Sequence, residues 1–470
     1  MHRVAAVDLG ATSVRVAVVD LDAPGPEVEV VHRVPHGPQA DAHGTLRWDW
    51  TTIIGAVDEG LAAALAAGPL ASIGVDGWGV DHALLDGDGE LLAPPVSYRD
   101  RRTDGWQQVA DRLGRDRLYD ATGIQLMPIN TIFQLAAHPQ EELQRSARIM
   151  LLPDLVVRHL TAVDGGTDGA YDGTERSNAS TTALLRADGA DWVPELLEAA
   201  GVRQDQLATL QDAGSVAGSW NGVPVHLVGS HDTASAFVAR PGPSSPGSVV
   251  VSAGTWVLVG AERPAADTGP AARAGNFANE RGTFGGVRFL RNVVGFWLLE
   301  RCRAAWGDPP VPELLEAAAA VDTEVPVFDA TDERFLAPED MEAEIRAATG
   351  LAAGTPRGVI VASILTSIAA ATAEVVAQLG AITGDEPREL HLVGGGVRNE
   401  LMNQLLADRT GLPVLVGSPE ATALGNAVTQ GVALGRFRTL EDARAWVATA
   451  ARRLEPRGGG VTPAAPSERR

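Results

Sequence analysis

Two apolar strand pairs, each folded back around a tip of glycine and small hydroxyl residues, divide this chain into halves. The first is RVAAVDLGATSVRVAVVD at 3–20 and the second is SVVVSAGTWVLVG at 248–260. A β-run broken by a tight polar turn and resumed at once reads as a hairpin. Between the halves lies RPGPSSPGS, 240–248, whose proline, glycine and serine content marks a linker. At 470 residues the chain exceeds one ordinary core, and two domains of about 200 residues each are the expectation. The boundaries predicted are 1–240 and 248–437, followed by a C-terminal segment, 438–470. Strand and helix patterns alternate elsewhere, as in ASIGVDGWGV after an alanine-rich helix, which predicts an α/β fold.

In the second half, ELHLVGGGVRNELMNQLLADRTGLPVLVGSPEATALGNAV reads as strand, glycine turn, helix, strand, turn and helix. Leu401, Leu405 and Leu406 space one helical face, and Gly411 closes that helix ahead of Pro413. Ser418 followed by Pro419 predicts the N-cap and first residue of the next helix. The final RGGGVTPAAPSERR has too little apolar surface to offset the entropy of ordering and is expected to be disordered.

The charge balance excludes several functions. Sixty acidic residues against 38 basic ones give a net charge of −22, which repels phosphodiester backbones and anionic lipid, so neither nucleic acid nor a membrane surface is expected as a partner. Hydrophobic content of 45% with a mean hydropathy of +0.01 fits a globular protein. The single cysteine, Cys302, excludes an intrachain disulfide and a thiolate zinc site, which suits a reducing cytosol. The strand pattern begins at once, without a charged leader and apolar core, so no signal peptide is expected. The apolar stretch VIVASILTSIAAATAEVVAQLG is interrupted at Glu374 and reads as a buried core helix. Every basic residue apart from histidine is arginine, for the chain has no lysine. That excludes a Walker A lysine, a protein-kinase strand lysine and Schiff-base chemistry. A phosphate site here must use backbone amides, arginine and metal.

Three glycine turns follow β-runs: DLGATS at 8–13, SAGTW at 252–256 and VGGGVRN at 393–399. Unpaired amides at such turns can point at phosphate oxygens. A fourth segment, GSHDTASAF at 229–237, sets Asp232 at the end of an apolar run. Two readings of Asp232 stand side by side: a helix cap accepting orphan amide protons, or a catalytic base at the carboxyl end of a strand, where open α/β sheets bind ligands.

GVDGWGVDHALLD, 74–86, resembles the sugar-binding segment of the FGGY carbohydrate kinases, and VSYRDRRTD, 96–104, follows at that family's spacing. The likeness continues through GIQLMPINTIFQL, LLPDLVVRHLTA, RSNASTTALL, GSHDTASAF, SAGTWVLVG, RFLRNVVGFWLLE and LHLVGGGVRNELMNQL, covering residues 4–430. The three turns are similar to those that clamp nucleotide in the actin, Hsp70 and sugar-kinase superfamily. The WGVDH, SHDTASA and RNVVGFWLLE segments resemble the branch of the family that acts on L-rhamnulose.

The resemblance implies two ribonuclease-H-like domains around a central cleft, in a cytoplasmic enzyme moving the γ-phosphoryl of ATP, with Mg2+, to the 1-hydroxyl of L-rhamnulose. A different ketose such as L-fuculose or L-xylulose, or a silent sugar- and ATP-binding protein of the same fold, is the alternative. It further implies that Gly10, Ala11, Thr12, Ser13 and Arg15 meet the phosphates, with Val14 in the same turn and Asp8 near magnesium. Thr255, Glu300 and Gly395 would line the nucleotide site. Gly79, His231, Asp232, Thr233 and Asn292 would hold the sugar, beside Trp78, with Asp232 as base. Structural readings stand next to these: Asp8 as a turn cap, Asn292 as a helix cap, His231 and Trp78 as core residues. Two positions depart from the family. Val14 replaces a second glycine, and a β-branched residue is costly at positive φ, so the turn is expected to take another conformation or to approach phosphate less closely. Glu300 replaces a glutamine, and a carboxylate beside polyphosphate repels it unless magnesium, Arg301 or distance intervenes.

Overall fold

The computed structural model describes residues 2–336 and 338–457. Of the C-terminal tail expected to be disordered, 458–470 lies outside the described residues. Two mixed sheets form the frame. The first contains β1 (Arg3–Gly10), β2 (Ser13–Asp20), β3 (Val28–Pro35), β4 (Ser72–Gly77), β5 (Val216–Trp220) and β6 (Val223–His226), in the order β5-β6-β4-β1-β2-β3. The second contains β7 (Ser248–Ala253), β8 (Trp256–Arg263), β9 (Ala278–Arg281), β10 (Val287–Val294), β11 (Glu389–Val393), β12 (Val414–Val416) and β13 (Arg452–Leu454), in the order β9-β10-β8-β7-β11-β12-β13.

The two sheets share a topology. In the first, β1, β2 and β3 form an antiparallel meander and β4 runs parallel to β1. In the second, β7, β8 and β10 form the meander and β11 runs parallel to β7. Each half therefore opens on the hairpin read from the sequence, and each hairpin carries its small-residue tip at the same end of its sheet. The apolar runs are continuous because these strands are buried on both faces: Val4, Ala5, Ala6, Val7 and Leu9 of β1 have no exposed surface.

Helix α1 (Trp50–Ala66) starts where the Asp49 carboxylate accepts the Thr52 amide, and it packs on the first sheet. Helix α2 (Asp232–Val238) follows the first sheet, and the long α3 (Arg357–Thr383) runs through the core of the second half. Helix α3 has the length and hydropathy to cross a membrane, but 78% of its most apolar window is buried inside the fold. It is a core helix, longer than the apolar stretch read from the sequence.

Helix α4 (Ala421–Ala433) bridges the two halves. It lies between β12 and β13 of the second sheet in sequence, yet Gln430 donates to the Ala5 carbonyl of β1 at 3.0 Å and Asn426 donates to Asp76 of β4 at 2.6 Å. It also crosses α2 so closely that a Cβ at Gly425 would meet the Ser235 carbonyl oxygen at 1.7 Å, so only glycine fits there. The N-cap of α4 is Glu420, not Ser418; the Ser418 hydroxyl instead accepts the Glu420 amide at 3.1 Å. Beyond α4, α5 (Leu440–Ala448) ties the C-terminal segment to the first half, for Trp446 donates to the Ala23 carbonyl at 2.9 Å. Strand β13 then completes the edge of the second sheet. The linker is held as well: Glu262 of β8 pairs with Arg240 at 3.0 Å and with Arg444 at 2.6 Å, and both arginines reach the Ser244 hydroxyl.

Candidate active site

The hairpin tips of both sheets open into one cavity of about 1150 Å3. Gly10, Ala11, Thr12, Ser13 and Arg15 line it from the first sheet, and Thr255 and Gly395 line it from the second. The open space has a local cause. A Cβ built at Gly395 would meet nothing within 4 Å, while Gly396 behind it packs against Ala253 and Phe296 with no room for a side chain. Gly394 holds φ 87°, a left-handed conformation that frees the following turn to present amides.

Arg15 points back along β2 and pairs with Asp8 at 2.6 Å and with Glu420 at 3.1 Å. Glu420 also takes Arg398 at 2.8 Å and Arg33 at 3.5 Å, so one carboxylate from the second half gathers three arginines at the cleft mouth. Asp8 itself does not line the cavity and is buried beneath Arg15. Burial lifts its carboxyl to about 6, against the pull of Arg15 and with the Asp232 charge adding to the rise. Its Oδ1 atom is buried with no hydrogen-bond partner. Magnesium commonly takes one or two carboxylates and fills its shell with phosphate oxygens and water. An orphaned carboxylate oxygen beside a phosphate-type turn fits that pattern. Among the described residues, no group of three or more His, Cys, Asp or Glu side chains could hold a metal unaided.

Val14 is corrected by the structure. It lies inside β2, opposite Leu9 and Val34, with no exposed surface, and it does not line the cavity. Its backbone is not among those at positive φ. The tip needs only Ala11 and Thr12 as its connecting residues, so the residue after Ser13 is already a strand position, where a β-branched side chain is favourable.

Deeper in the cavity are Trp78, Gly79, His231, Asp232, Thr233 and Asn292. Strand β4 ends at Gly77, whose amide donates to the Ser230 carbonyl at 2.9 Å, so the WGVDH segment and the start of α2 lie side by side. Trp78 and Trp48 pack with ring centroids 4.5 Å apart, and both indole N–H groups donate to Asp81 Oδ2, at 3.0 and 2.7 Å. Val80 sits at φ 68°, unusual for a β-branched residue. The Thr181 hydroxyl accepts its amide and the Thr131 hydroxyl donates to its carbonyl, which holds that conformation in the cavity wall. Such stored strain is concentrated at functional sites.

The two readings of Asp232 separate here. The N-cap of α2 is His231, and no side chain caps the helix. Asp232 is the first helical residue; its Oδ1 accepts the Thr233 hydroxyl at 3.1 Å and lies 3.4 Å from His231 Nε2. Its side chain is one-third exposed, toward the cavity. Asn292 lies in β10 rather than at a helix start, and its amide side chain donates to Gln125 Oε1 at 2.8 Å. Glu300 lines the cavity from the helix Trp297–Ala305 and pairs with Arg303 at 2.9 Å, which offsets its charge. Arg303, rather than Arg301, is the compensating cation.

Several lining residues were given no role from the sequence: Glu280, Arg33 and Glu420, together with Gln125 and Arg398, which lie inside the quoted GIQLMPINTIFQL and VGGGVRN segments. Glu420 stood in plain view as the residue after Pro419, but its value comes from three arginines distant in the chain.

The profile for the N-terminal domain of the FGGY family of carbohydrate kinases matches residues 4–234, and that for the C-terminal domain matches residues 249–434. A rhamnulokinase from Pectobacterium carotovorum subsp. carotovorum (strain PC1) is 38% identical over 381 residues, which cover 78% of this chain and 75% of that protein. Among solved structures, a ligand-bound xylulose kinase from Lactobacillus acidophilus superposes with a TM-score of 0.76 at 17% identity, covering 97% of this chain and 94% of that one. A Plasmodium falciparum glycerol kinase with ADP superposes with a TM-score of 0.77 at 16% identity, again covering 97% and 94%.

Proposed function

The chain belongs to the FGGY family of carbohydrate kinases, and we propose that within it the substrate is L-rhamnulose, phosphorylated by ATP on its 1-hydroxyl to give L-rhamnulose 1-phosphate and ADP. The observation that carries the chemistry is Asp232: Thr233 donates to one carboxylate oxygen, and the other accepts no hydrogen bond among the described residues and is free to face substrate. The preference for L-rhamnulose rests on the likeness to the Pectobacterium rhamnulokinase over more than three quarters of the chain.

Phosphoryl transfer passes through a loose transition state, so the protein's task is to position reactants and stabilise charge. Asp232 accepts the sugar hydroxyl proton and orients the oxygen for in-line attack. His231, Gly79, Thr233 and Asn292 hold the sugar, with Trp78 as an apolar wall that Asp81 keeps in place. Amides at Gly10–Ser13, Thr255 and Gly395 donate to phosphate oxygens, and Arg15 adds a fixed positive charge. Asp8 would hold magnesium, which would supply neutralisation of phosphate charge. The two halves close about 240–248 to exclude water, which otherwise competes for the phosphoryl group. The cytoplasm is the setting that suits this substrate pair.

The test is an ADP-release assay on the purified full chain with L-rhamnulose, L-fuculose, L-xylulose, L-ribulose and glycerol. The highest kcat/KM falls on L-rhamnulose if the reading is right. A higher kcat/KM on another ketose overturns the substrate, and no ADP release with any sugar overturns the kinase chemistry.

A further inference from the structure

We propose that Arg288 is a positioning residue for the reaction: it fixes His231 as the neutral tautomer protonated on Nε2, so that the ring presents its positive N–H edge, and not a lone pair, to the Asp232 carboxylate and steadies it. The inference rests on the reading of Asp232 as the base and adds two residues to which the sequence reading gave no role: Arg288, which opens the RFLRNVVGFWLLE segment, and Glu280.

Arg288 lies in β10 and is 1% exposed. Its guanidinium is held on three sides: Nε donates to the Arg281 carbonyl at 3.0 Å, Nη1 pairs with Glu280 Oε2 at 3.0 Å, and Nη2 lies 3.2 Å from His231 Nδ1. A guanidinium has donors only and keeps its proton under all ordinary conditions. The contact with His231 Nδ1 therefore requires a lone pair on that nitrogen, which places the imidazole hydrogen on Nε2. On the far side of the ring, Nε2 lies 3.4 Å from Asp232 Oδ1. A hydrogen there faces an acceptor, whereas a lone pair there would face a carboxylate. Both sides of the ring select the same tautomer.

One contact competes. Glu280 Oε2 is also 3.2 Å from His231 Nδ1, and a hydrogen on Nδ1 could be given to it. That arrangement turns the hydrogen on Nδ1 against the Arg288 Nη2 donor. Glu280 already has Arg288 as its charge partner, and although burial alone would raise its carboxyl, Arg288 beside it holds it below the ordinary range. The charged groups facing His231 are thus Asp232 on its own helix, Glu280 on β9 and Arg288 on β10.

The consequence for chemistry is geometric. With the Thr233 hydroxyl donating to Oδ1 and the Nε2–H edge of His231 3.4 Å from the same oxygen, Asp232 has its Oδ1 occupied and its Oδ2 atom is left for the sugar hydroxyl. A carboxylate free to turn would present either oxygen, and loss of such alignment is costly in rate.

The experiment is nitrogen NMR on the full chain labelled with 15N-histidine at pH 7.5, with the His231 signals among ten histidines assigned by their loss in His231→Gln. The expected result is an unprotonated Nδ1 and a protonated Nε2. Because Arg288→Met alone would leave Glu280 buried without its partner, the kinetic arm uses the double variant Arg288→Met with Glu280→Gln, checked for native circular dichroism. The double variant is expected to lose the tautomer preference and to lower kcat by about 10–100-fold, with the KM for ATP unchanged. A His231 carrying a hydrogen on Nδ1 in the unaltered protein overturns the proposal, and so does a double variant with unaltered kcat. Should the double variant fail to fold, the tautomer in the unaltered protein still decides. If instead the tautomer is as proposed but Asp232→Asn keeps full activity, the base reading has failed and the positioning of the ring has not.

Discussion

Asn426 of α4 donates a 2.6 Å hydrogen bond to Asp76 of β4, joining two residues 350 positions apart and both without exposed surface. Burial, with the neighbouring Asp8 charge, pushes the Asp76 carboxyl well above its ordinary range, and the Asn426 bond pulls it back. The bond is thus a buried seam between the two halves of the chain.

Removing the donor tests that seam. Asn426→Ala leaves a buried carboxyl short of a partner, which costs about 1–3 kcal/mol. Urea unfolding followed by circular dichroism is expected to shift by that amount. An unchanged midpoint would mean that α4 is held by its apolar contacts alone.

Val14 makes the opposite kind of forecast. Because it is a fully buried strand residue between Leu9 and Val34, Val14→Gly opens a cavity and loosens the backbone, with an expected loss of about 2–4 kcal/mol. Calorimetric titration with an ATP analogue below the melting temperature should still give an affinity within about threefold of the parent, a difference under 1 kcal/mol. Tighter nucleotide binding with no loss of stability would put Val14 back in the phosphate turn.

The contrast between Val14 and the residues around it says where the sequence was legible. Gly10 to Ser13 could be placed at a hairpin tip because glycine and small hydroxyl residues after an apolar run mark a tight turn, and that tip lines the cavity. The paired hairpins at 3–20 and 248–260 were readable as strands, but so short a similarity could not establish their shared place in two sheets of like topology, which the strand order shows. Val14 was misread because a likeness of spacing was taken for a likeness of conformation, while β-branching itself favours a strand. Asp232 could not be divided between cap and base from sequence, since one-residue helix boundaries are set by backbone geometry. The Arg288–Glu280–His231 contacts and the three arginines on Glu420 depend on tertiary pairing, for which periodicity carries no signal.

Asp154 supplies a pH test outside the cleft. It is buried, the Thr174 hydroxyl donates to it, and burial together with the nearby Glu175 charge lifts its carboxyl to about 8. A carboxyl raised on folding stabilises the protein fully below its unfolded value, near 4, and that contribution is lost as pH rises through about 8. The unaltered protein should therefore lose more than about 1 kcal/mol of stability between pH 5 and pH 9, and Asp154→Asn should lose measurably less. Thermal melts across that range decide it: parallel pH profiles for the two proteins would show that Asp154 is ionised in the folded state throughout.

The central claim is that Asp232 takes the sugar hydroxyl proton, and steady-state turnover of Asp232→Asn, with calorimetric titration of sugar and ATP, tests it most directly. The substitution keeps the shape of the side chain and removes the proton acceptor, so kcat is expected to fall about 10²–10⁴-fold while both ligands still bind. Because no side chain caps α2, stability should stay within about 0.5 kcal/mol of the parent. A variant that keeps more than about a tenth of the parental kcat would contradict the account.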